Sequence, residues 1–524
     1  MRSDSTSSMR RTLLIAIVAL GVELLYPVAI AKAADPSVGR TLVTIANTST
    51  TELIELDGTV VQSWNGTAKP ASLAYLLDDG SIVRPSRYST VFFSAGGVGG
   101  RIQTIDSQNN VVWDYILATE QYQQHHDIEP MPNGNVLAIA WERRTSAEAA
   151  AAGRTGPIAE MWPTYIVELE PTSPTTANFV WEWRFWDHLI QDADPAKPNF
   201  GVVAEHPERL DINFGAVGNG DWVHANSIDY DPINDQILFS SRALNEVYVI
   251  DHSTTTAEAA GSTGGLSGKG GDLLYRWGNP QAYDRGAGTD QYLRVVHGAN
   301  WIDPGLPGEG NILLFNNGDR PGSSNDYSTA VELVPPQNPD GTYELIGSAP
   351  YGPASPSWTY GDPGEFYGGP TQCGAFRLPN GNTLVSLAST SQILEVTTEG
   401  EIVWTHTVAA GINRAQRYSD SESSGVNDLG ADNNLELLST TPNPFRTATT
   451  LRYRLSHPGE AKLSVFSISG EKVVTLFSGW LPAGEQQVNW DGRDRHGELM
   501  ASGIYLARLV AHEQVAVRTL VLRK

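Results

Sequence analysis

Apolar and polar residues alternate along most of the chain in short runs, and the runs are separated by turns rich in glycine, asparagine and aspartate. A period of two over such short runs predicts β-strands. Asn-Gly between two apolar runs predicts a hairpin, because both turn positions tolerate a positive φ. Residues 126–140, for example, place Pro-Asn-Gly-Asn between two apolar runs. The pattern therefore predicts a chain built mainly from β-hairpins.

Two kinds of hairpin alternate along the chain. The first has a tight turn between two apolar strands and recurs at residues 72–83, 126–140, 224–240, 297–315 and 373–386. The second ends on a strand with an aromatic residue and recurs at 52–64, 102–115, 165–183, 246–277, 330–345 and 392–406. The strand at 41–47 supplies the missing first opening half. Two hairpins form a four-stranded unit, and six consecutive units predict an all-β fold, a six-bladed β-propeller over residues 34–410.

The composition changes after the last repeat. Residues 411–437 are polar and rich in Ser, Asp and turn residues, which predicts a linker. Residues 438–524 return to regular alternation in six or seven short runs, which predicts a small immunoglobulin-like β-sandwich.

The N-terminus and the charge indicate where the protein works. Arginines precede the apolar run TLLIAIVALG, and Ala-Lys-Ala at 31–33 fits a cleavage site, so residues 1–33 are predicted to be a secretory signal peptide. No other segment is apolar enough to predict a stable membrane span. The formal net charge of −24 argues against nucleic acid as a partner.

Five polar or small residues occupy one position of the repeat. Ser72, His126 and Cys373 each lie seven residues before the Asn or Asp of the following turn. His224 and His297 begin the same strand in repeats with longer turns. In a propeller this strand lines the central channel, so equivalent positions converge on one axis. We therefore expect three histidines to meet at one end of the channel.

Additional hydrogen-bond donors accompany these histidines. Arg242 and Arg320 each follow the second strand of a hairpin, and Asn226 lies two residues after His224. Three histidines could bind zinc, but an arginine beside a dication is electrostatically unfavourable. A guanidinium fork and an amide instead suit a sulfate- or phosphate-like oxyanion. We therefore expect an oxyanion site with no metal and no cofactor, in which a neutral histidine is the nucleophile.

Several motifs resemble the bacterial arylsulfate sulfotransferases. They are WVHANS followed by SSR, HD before a Pro-Asn-Gly-Asn turn, VVHGANW, and FRLPNGNTLVS followed by ILEVTTEGEIVW, and they cover about residues 40–410 in the family's order. The resemblance implies a six-bladed propeller that moves a sulfuryl group from an aryl sulfate donor to a phenolic acceptor. It implies no nucleotide donor and a ping-pong route through a sulfohistidine.

The resemblance also assigns roles to individual residues. His297 resembles the nucleophile, and the sulfate oxygens would be held by His224, Asn226 and Arg242. His126 resembles a third histidine of the cluster, with His125 as the alternative if the strand register differs by one residue. Arg320 and Cys373 are further candidates for substrate binding.

The C-terminal sequence has a resemblance of its own. TPNPFRTATTLRYRL, VFSISGEKVVTL and the run that ends in SGIYLARL resemble sorting domains of the type IX secretion route, and equally the immunoglobulin-like domain of flagellar hook-capping proteins. This resemblance implies export across the outer membrane by the type IX machinery, followed by release or attachment to the cell surface.

Two other functions are compatible with a propeller. A non-catalytic surface protein could bind a ligand in the channel, and a quinone-dependent dehydrogenase could use the same fold. The quinone enzyme would require a cluster of calcium-binding carboxylates and paired tryptophan motifs, which the sequence lacks. The combination of His224, Asn226, Arg242 and His297 favours catalysis over ligand binding alone.

Overall fold

The computed structural model of the chain describes residues 35–318, 327–338, 340–362, 368–369, 371–418, 435–455, 459–467, 472–482, 484–511 and 514–523. The predicted signal peptide and Arg320 lie outside these residues, as does most of the predicted linker. Within the described ranges, no helix has the length and apolarity that crossing a membrane requires.

Six antiparallel four-stranded sheets form the six blades of a β-propeller. Blade 1 contains Ile412–Tyr418, Arg40–Ile45, Thr50–Ile54 and Val60–Asn65; blade 2 contains Tyr75–Leu76, Ile82–Arg87, Gly100–Ile105 and Val111–Ile116; blade 3 contains Tyr122–Pro130, Val136–Glu142, Thr164–Ser173 and Thr176–Arg184. Blade 4 contains Ala225–Asp231, Gln236–Ser241, Glu246–Asp251 and Tyr275–Trp277; blade 5 contains Val296–Trp301, Ile312–Asn316, Thr329–Leu333 and Trp358–Tyr360; blade 6 contains Gly374–Arg377, Thr383–Leu387, Gln392–Val396 and Ile402–Thr407. The first strand of each blade is its inner strand, and the inner strands of blades 3, 4, 5, 6 and 1 contact one another in that order. The predicted propeller is confirmed.

Blade 1 corrects the predicted domain boundary. Its inner strand is Ile412–Tyr418, which pairs with Arg40–Ile45 from the start of the propeller. The prediction placed residues 411–418 in a linker. They instead close the ring, because a strand from the C-terminal end of the propeller completes the blade that the N-terminal strands begin. The strand Leu435–Thr441 likewise belongs to the C-terminal sandwich rather than to a linker as far as residue 437.

Hydrophobic clusters fill the spaces between neighbouring blades. The cluster between blades 3 and 4 contains Ile139 and Phe239, and the one between blades 4 and 5 contains Leu238 and Ile312. Similar clusters lie at the four other blade junctions. One blade alone would leave both of its apolar faces in water, so the closed ring is what buries them.

Buried ion pairs connect the turns of one blade to the next blade. In blade 3, Glu168 accepts hydrogen bonds from the turn residues Asn133 and Asn135 (3.1 and 2.5 Å). The same carboxylate bonds His252 of blade 4 at 3.1 Å. Corresponding pairs are Glu332–Arg377 between blades 5 and 6, and Glu395–Arg417 between blades 6 and 1. The Pro-Asn-Gly-Asn turns therefore also align neighbouring blades.

Two insertions emerge from blade 3 and from the connection to blade 4. The first holds the paired strands Arg144–Thr145 and Glu160–Met161 and the helix Ser146–Ala151, which Thr145 caps. The second holds the 3-10 turns Phe185–His188 and Val203–Glu205 and the parallel strands Leu189–Ile190 and Leu210–Asp211. The remaining short helices are Thr256–Ala259, Pro280–Tyr283 and Gly288–Asp290. The insertions meet where Trp162 N donates to Gly220 O at 2.7 Å, beside the channel histidines.

The C-terminal domain is a two-sheet sandwich. One sheet contains Leu435–Thr441, Thr449–Leu455 and Gly484–Trp490; the other contains Lys472–Leu481, Gly459–Ser467, Gly503–Ala511 and Gln514–Leu522. Leu451, Leu463, Trp490 and Leu509 are buried between the sheets. The predicted immunoglobulin-like sandwich is confirmed.

Candidate active site

The inner strands of three blades bulge where their histidines lie. The ladder shifts register between Gln124 and Ile128 in blade 3, and between Ala225 and Ser227 in blade 4. It shifts between His297 and Asn300 in blade 5. A bulge leaves residues unpaired and redirects their side chains, here at the start of each strand.

The backbone at two of these histidines adopts an uncommon conformation. His126 and His224 have φ values of 51° and 50°, in the left-handed region. Non-glycine residues rarely occupy this region, and such residues are concentrated at functional sites. Both conformations occur at the channel mouth.

Four histidines lie together at this end of the channel. The rings of His126 and His224 meet edge to face, with centroids 4.7 Å apart. The Nδ1 atoms of His125 and His126 are 2.8 Å apart. Charges on His224, His125 and His297 all act on the pKa of His126, so the fourth histidine is also close. The structure thus brings the three predicted histidines together.

The structure distinguishes His126 from its neighbour His125. His125 is fully buried and stacks on Trp141 with centroids 4.1 Å apart, whereas His126 is partly exposed. The two rings touch through their Nδ1 atoms, but only the ring of His126 also contacts His224. His126 is the one placed at the channel.

His297 is held in one tautomer. Its Nδ1 lies 2.7 Å from Asn317 Oδ1 and 3.0 Å from Val295 O. The amide group of Asn317 is oriented in turn, because its Nδ2 donates to the carbonyls of Gly369 (2.7 Å) and Gln372 (3.1 Å). Both partners of the imidazole are therefore acceptors, so the proton of the neutral ring sits on Nδ1. The lone pair is left on Nε2.

His224 is paired with a carboxylate. Its Nδ1 lies 2.5 Å from Asp221 Oδ2, and the other oxygen of Asp221 accepts a hydrogen bond from Trp141 Nε1 at 2.9 Å. Burial raises the pKa of Asp221, but the hydrogen bond and charge of His224 outweigh it, so the pKa of this carboxyl is lowered. An aspartate that holds Nδ1 orients the imidazole. Because Asp221 occupies Nδ1, Nε2 is the nitrogen of His224 that is left for proton transfer.

The other three histidines of the cluster, His125, His126 and His297, stay uncharged at neutral pH. Burial lowers the pKa of His297 to about 3, and the charges of His224 and Arg242 act in the same direction. Burial also lowers the pKa of His125 to about 3, and that of His126 well below its ordinary value. At neutral pH these rings are bases and hydrogen-bond partners rather than cations.

Asn226 supports the strand that carries His297. Its Nδ2 donates to Val296 O at 2.7 Å, and its Oδ1 accepts from Ser240 Oγ at 2.6 Å. Ser240 also bonds Ser227 Oγ, which accepts from Ala299 N at 2.9 Å. The HAN-S and SSR motifs thus fix the position of blade 5 relative to blade 4. The predicted contact of Asn226 with sulfate oxygens stays a prediction.

The three remaining predicted residues lie in different surroundings. Arg242 is half-buried, and its backbone N donates to His224 O at 3.1 Å. Cys373 is fully buried, with its Sγ donating to Gly368 O at 3.1 Å, and burial raises the pKa of its thiol to about 12. The structure gives the thiol a packing role between blades 5 and 6. Arg320 lies outside the described residues.

A glycine-rich loop of blade 2 covers the histidines. The carbonyl of Gly97 accepts from His126 N at 2.7 Å, and a Cβ on Gly97 would lie 2.0 Å from the His126 ring. A Cβ on Gly96 would lie 3.6 Å from His224. Phe93, in the same loop, is buried against Trp141. The absence of side chains at Gly96 and Gly97 therefore lets the loop lie directly against the histidine rings.

The sequence prediction missed Asp221, Asn317 and the loop at 96–97. Asp221 opens the motif that contains His224, and an acidic residue three positions before a histidine could have indicated it. Asn317 follows the second strand of its hairpin, the position that Arg242 takes in blade 4. The glycine-rich run at 96–100 was visible in the sequence, but nothing in the sequence showed that this loop would lie against the histidines.

The site can carry out nucleophilic and acid–base chemistry. It combines a neutral imidazole with a defined lone pair, an Asp–His pair for proton transfer, and an arginine nearby. Within the described residues, no group of three His, Cys, Asp or Glu side chains is placed to hold a metal ion.

Comparisons with known proteins identify both domains. Residues 49–336, more than half of the chain, match the family model described as Arylsulfotransferase (ASST). Residues 445–514 match the FlgD Ig-like domain. No curated protein matched the chain.

Solved structures similar to the chain share little sequence identity with it. A protein of unknown function from Bacteroides caccae has 12% identity and a TM-score of 0.38 over 72% of this chain and 98% of that chain. A virginiamycin B lyase from Staphylococcus aureus has 10% identity and a TM-score of 0.33 over 72% and 83%. A putative 6-phosphogluconolactonase from Bacteroides fragilis has 11% identity and a TM-score of 0.33 over 74% and 100%.

Proposed function

The chain belongs to the arylsulfotransferase family, and from this premise we propose that it transfers a sulfuryl group from an aryl sulfate ester to a phenol through a sulfohistidine at His297. The observation that carries the proposal is the fixed tautomer of this residue. Asn317 and Val295 accept from Nδ1, so the lone pair on Nε2 is available to attack sulfur.

In the first half-reaction, Nε2 of His297 forms a bond to sulfur while the bond between sulfur and the aryl oxygen breaks. The electron pair of the broken bond leaves with the phenolate. His224 gives its Nε2 proton to this oxygen, and Asp221 holds Nδ1 of the same ring at 2.5 Å. The sulfuryl group stays on His297.

The second half-reaction runs in reverse with another phenol. The neutral ring of His224 takes the proton of the acceptor hydroxyl, the phenol oxygen bonds to sulfur, and the Nε2–sulfur bond breaks. Sulfuryl transfer, like phosphoryl transfer, places negative charge on the equatorial oxygens. We assign the stabilisation of that charge to Arg242, whose own charge acts on His297, and to His126, whose ring contacts His224.

The test uses 4-nitrophenyl sulfate with and without added phenol. We expect phenol-dependent nitrophenolate release, and without acceptor a burst of about one nitrophenolate per protein. The peptide that contains His297 should gain the mass of one SO3 group. His297→Asn should abolish both signals, while His406→Asn, which changes a histidine on the outer strand of blade 6, should retain them.

The outcomes separate the candidate functions. Full activity in His297→Asn would move the nucleophile elsewhere. If the parent protein releases no nitrophenolate with a panel of aryl sulfates and acceptors, the non-catalytic surface propeller becomes the better explanation.

We also propose that the enzyme is exported and that its C-terminal domain directs the final step through the type IX machinery. The signal-peptide features of residues 1–33 and the sandwich of residues 435–523 support this route. Cell fractionation of a strain that has this machinery tests it. Removal of residues 435–524 should leave the propeller in the periplasm, and secretion of the truncated chain would contradict the role of the domain.

A further inference from the structure

Arg414 crosses the channel beneath the histidines. It lies on the inner strand of blade 1, where the ladder shifts register between Val43 and Ile45, and it is 5% exposed. Its Nη2 donates to Ser72 Oγ of blade 2 at 2.8 Å and forms an ion pair with Asp127 of blade 3. One side chain thus connects three blades across the axis.

Two glycines make room for this side chain. A Cβ on Gly374 would lie 2.6 Å from Arg414 Cδ, and one on Gly298 would lie 3.4 Å from the same atom. Gly298 also has a φ of 61°, a separate reason for glycine, whereas Gly374 is not among the residues with positive φ. The glycine at 374 is therefore explained by the passage of Arg414. Gly298 directly follows His297, so the guanidinium stem passes next to the predicted nucleophile.

The channel has opposite character on the two sides of Arg414. On one side is the histidine cluster, and the charge of Arg414 acts on His126 there. On the other side, Arg414 borders a cavity lined by Glu129, Asp229 and Asp303, which continues into a larger cavity of about 390 Å³. Burial raises the pKa of Asp229 to about 8 and that of Glu129 well above its ordinary value, so the second side is lined by carboxyl groups that resist ionisation, whereas the first side holds the predicted nucleophile.

The guanidinium has donors left over after these contacts. Only Nη2 makes hydrogen bonds with described residues, and Asp127 is the carboxylate paired with it. Nε and Nη1 remain for a ligand. Each of them can donate one charge-assisted hydrogen bond to an oxygen of a sulfate group.

We propose that Arg414 closes one end of the sulfuryl-transfer site, as a substrate-binding residue that holds the sulfate group of the donor next to His297 and separates it from the carboxyl groups beyond. This assignment rests on the proposed function. It extends the site to blade 1, which supplies no other residue to it.

The test compares variants that change the charge at position 414 with variants that change the space available to the Arg414 side chain. Removing one member of a buried ion pair is strongly destabilising, so the main variant is the double change Arg414→Gln with Asp127→Asn, which leaves no unpaired buried charge. Arg414→Lys retains the charge. Gly374→Ala displaces the side chain without removing its charge, and Gly261→Ala, where a Cβ would meet only an ordinary contact at 3.6 Å, is its control.

Two readouts follow, both on variants whose thermal melting shows that they are folded. In the double variant, the KM for 4-nitrophenyl sulfate should rise about 10- to 100-fold, as expected when a hydrogen bond to a charged group is lost, while the KM for phenol stays the same. Arg414→Lys, which retains the charge, should raise the KM for the sulfate ester less than the double variant does. Gly374→Ala should raise the KM for the sulfate ester, and Gly261→Ala should not. A purely structural role would change kcat and both KM values together.

Calorimetry with inorganic sulfate gives an answer that does not depend on turnover. The parent should bind sulfate, and the double variant should bind it at least about tenfold more weakly. This result supports the Arg414 site even if no aryl sulfate is turned over, an outcome that would overturn only the proposed function. Equal sulfate affinity in parent and double variant would overturn the assignment, and so would a parent that does not bind sulfate.

Discussion

The low pKa of the predicted nucleophile leads to a quantitative expectation for the first half-reaction. Burial lowers the pKa of His297 to about 3, against the hydrogen bonds that the ring donates to Asn317 and Val295, which favour the protonated form. A histidine with the ordinary pKa of about 6.5 would be neutral in only about 3% of molecules at pH 5, against about 90% at pH 7.5. Sulfation by such a residue would slow about 30-fold over this interval. His297, with its pKa near 3, should lose almost nothing.

Rapid mixing with 4-nitrophenyl sulfate in the absence of acceptor measures this step alone. The burst rate is followed from about pH 4.5 to about pH 8, and samples are made alkaline before nitrophenolate is read. Nitrophenolate leaves readily, so the step depends little on a general acid. Repeating the series with His224→Asn removes the remaining contribution of the proton donor. We expect the two profiles to be nearly flat above about pH 5.

One result would refute this reasoning. If the burst rate falls with a midpoint near pH 6.5 in both the parent and His224→Asn, the nucleophile titrates like an exposed histidine. The burial that the structure assigns to His297 would then be wrong, or the nucleophile would be a different residue. A fall seen only in the parent would assign the titration to His224.

Two further predictions concern the residue that orients His297 and an ion pair between two blades of the propeller. Asn317→Ala removes the acceptor that fixes the His297 tautomer, so kcat should fall about 10- to 100-fold with little change in the KM for the donor, which steady-state kinetics will measure. Burial lowers the pKa of His252, but the hydrogen bonds that its ring donates to the carboxylates of Asp235 and Glu168 outweigh burial and raise this pKa to about 9. The protonated form is therefore stabilised in the folded state, so this contribution, up to about 3 kcal/mol, is complete below pH 6.5 and is lost as the pH rises through 9. Melting temperatures at about pH 6.5 and about pH 9.5 should differ more for the parent than for His252→Gln, and an equal difference would exclude this pair as a source of stability.

The repeat made most of the propeller predictable, and its failure at blade 1 has a physical cause. The inner strand of that blade reads Ile-Asn-Arg-Ala-Gln-Arg-Tyr, with only two apolar residues before the tyrosine. Ile412 and Ala415 pack against blade 6, while Arg414 and Arg417 reach partners on other blades. A strand that lines a polar channel buries charged groups through pairing, and hydrophobic periodicity does not detect such a strand.

The sequence predicted the site residues that occupy the same position in different repeats. It did not predict the residues that orient those histidines through hydrogen bonds. The three histidines recur at equivalent positions, so the ring symmetry alone brings them together. Asn317 bonds a residue 20 positions earlier, and its orientation depends on carbonyls of the next blade. Asp221 reaches its position through the contact of two insertions, which have no counterpart in the repeat. Neither contact follows from periodicity.

The strained backbone of the inner strands connects the fold to the chemistry. His126, His224 and Cys373 are all non-glycine residues with positive φ, at one repeated position in three blades. Each such conformation costs about 1–3 kcal/mol, and glycine would remove most of that cost. Packing alone therefore does not account for two histidines at this position. In blades 3 and 4 the ladder also shifts register near this position, and the rings of His126 and His224 come into contact there. Buried ion pairs between neighbouring blades hold the propeller together around these strands. The free-energy cost of the strained backbone at the site is therefore offset by interactions elsewhere in the propeller.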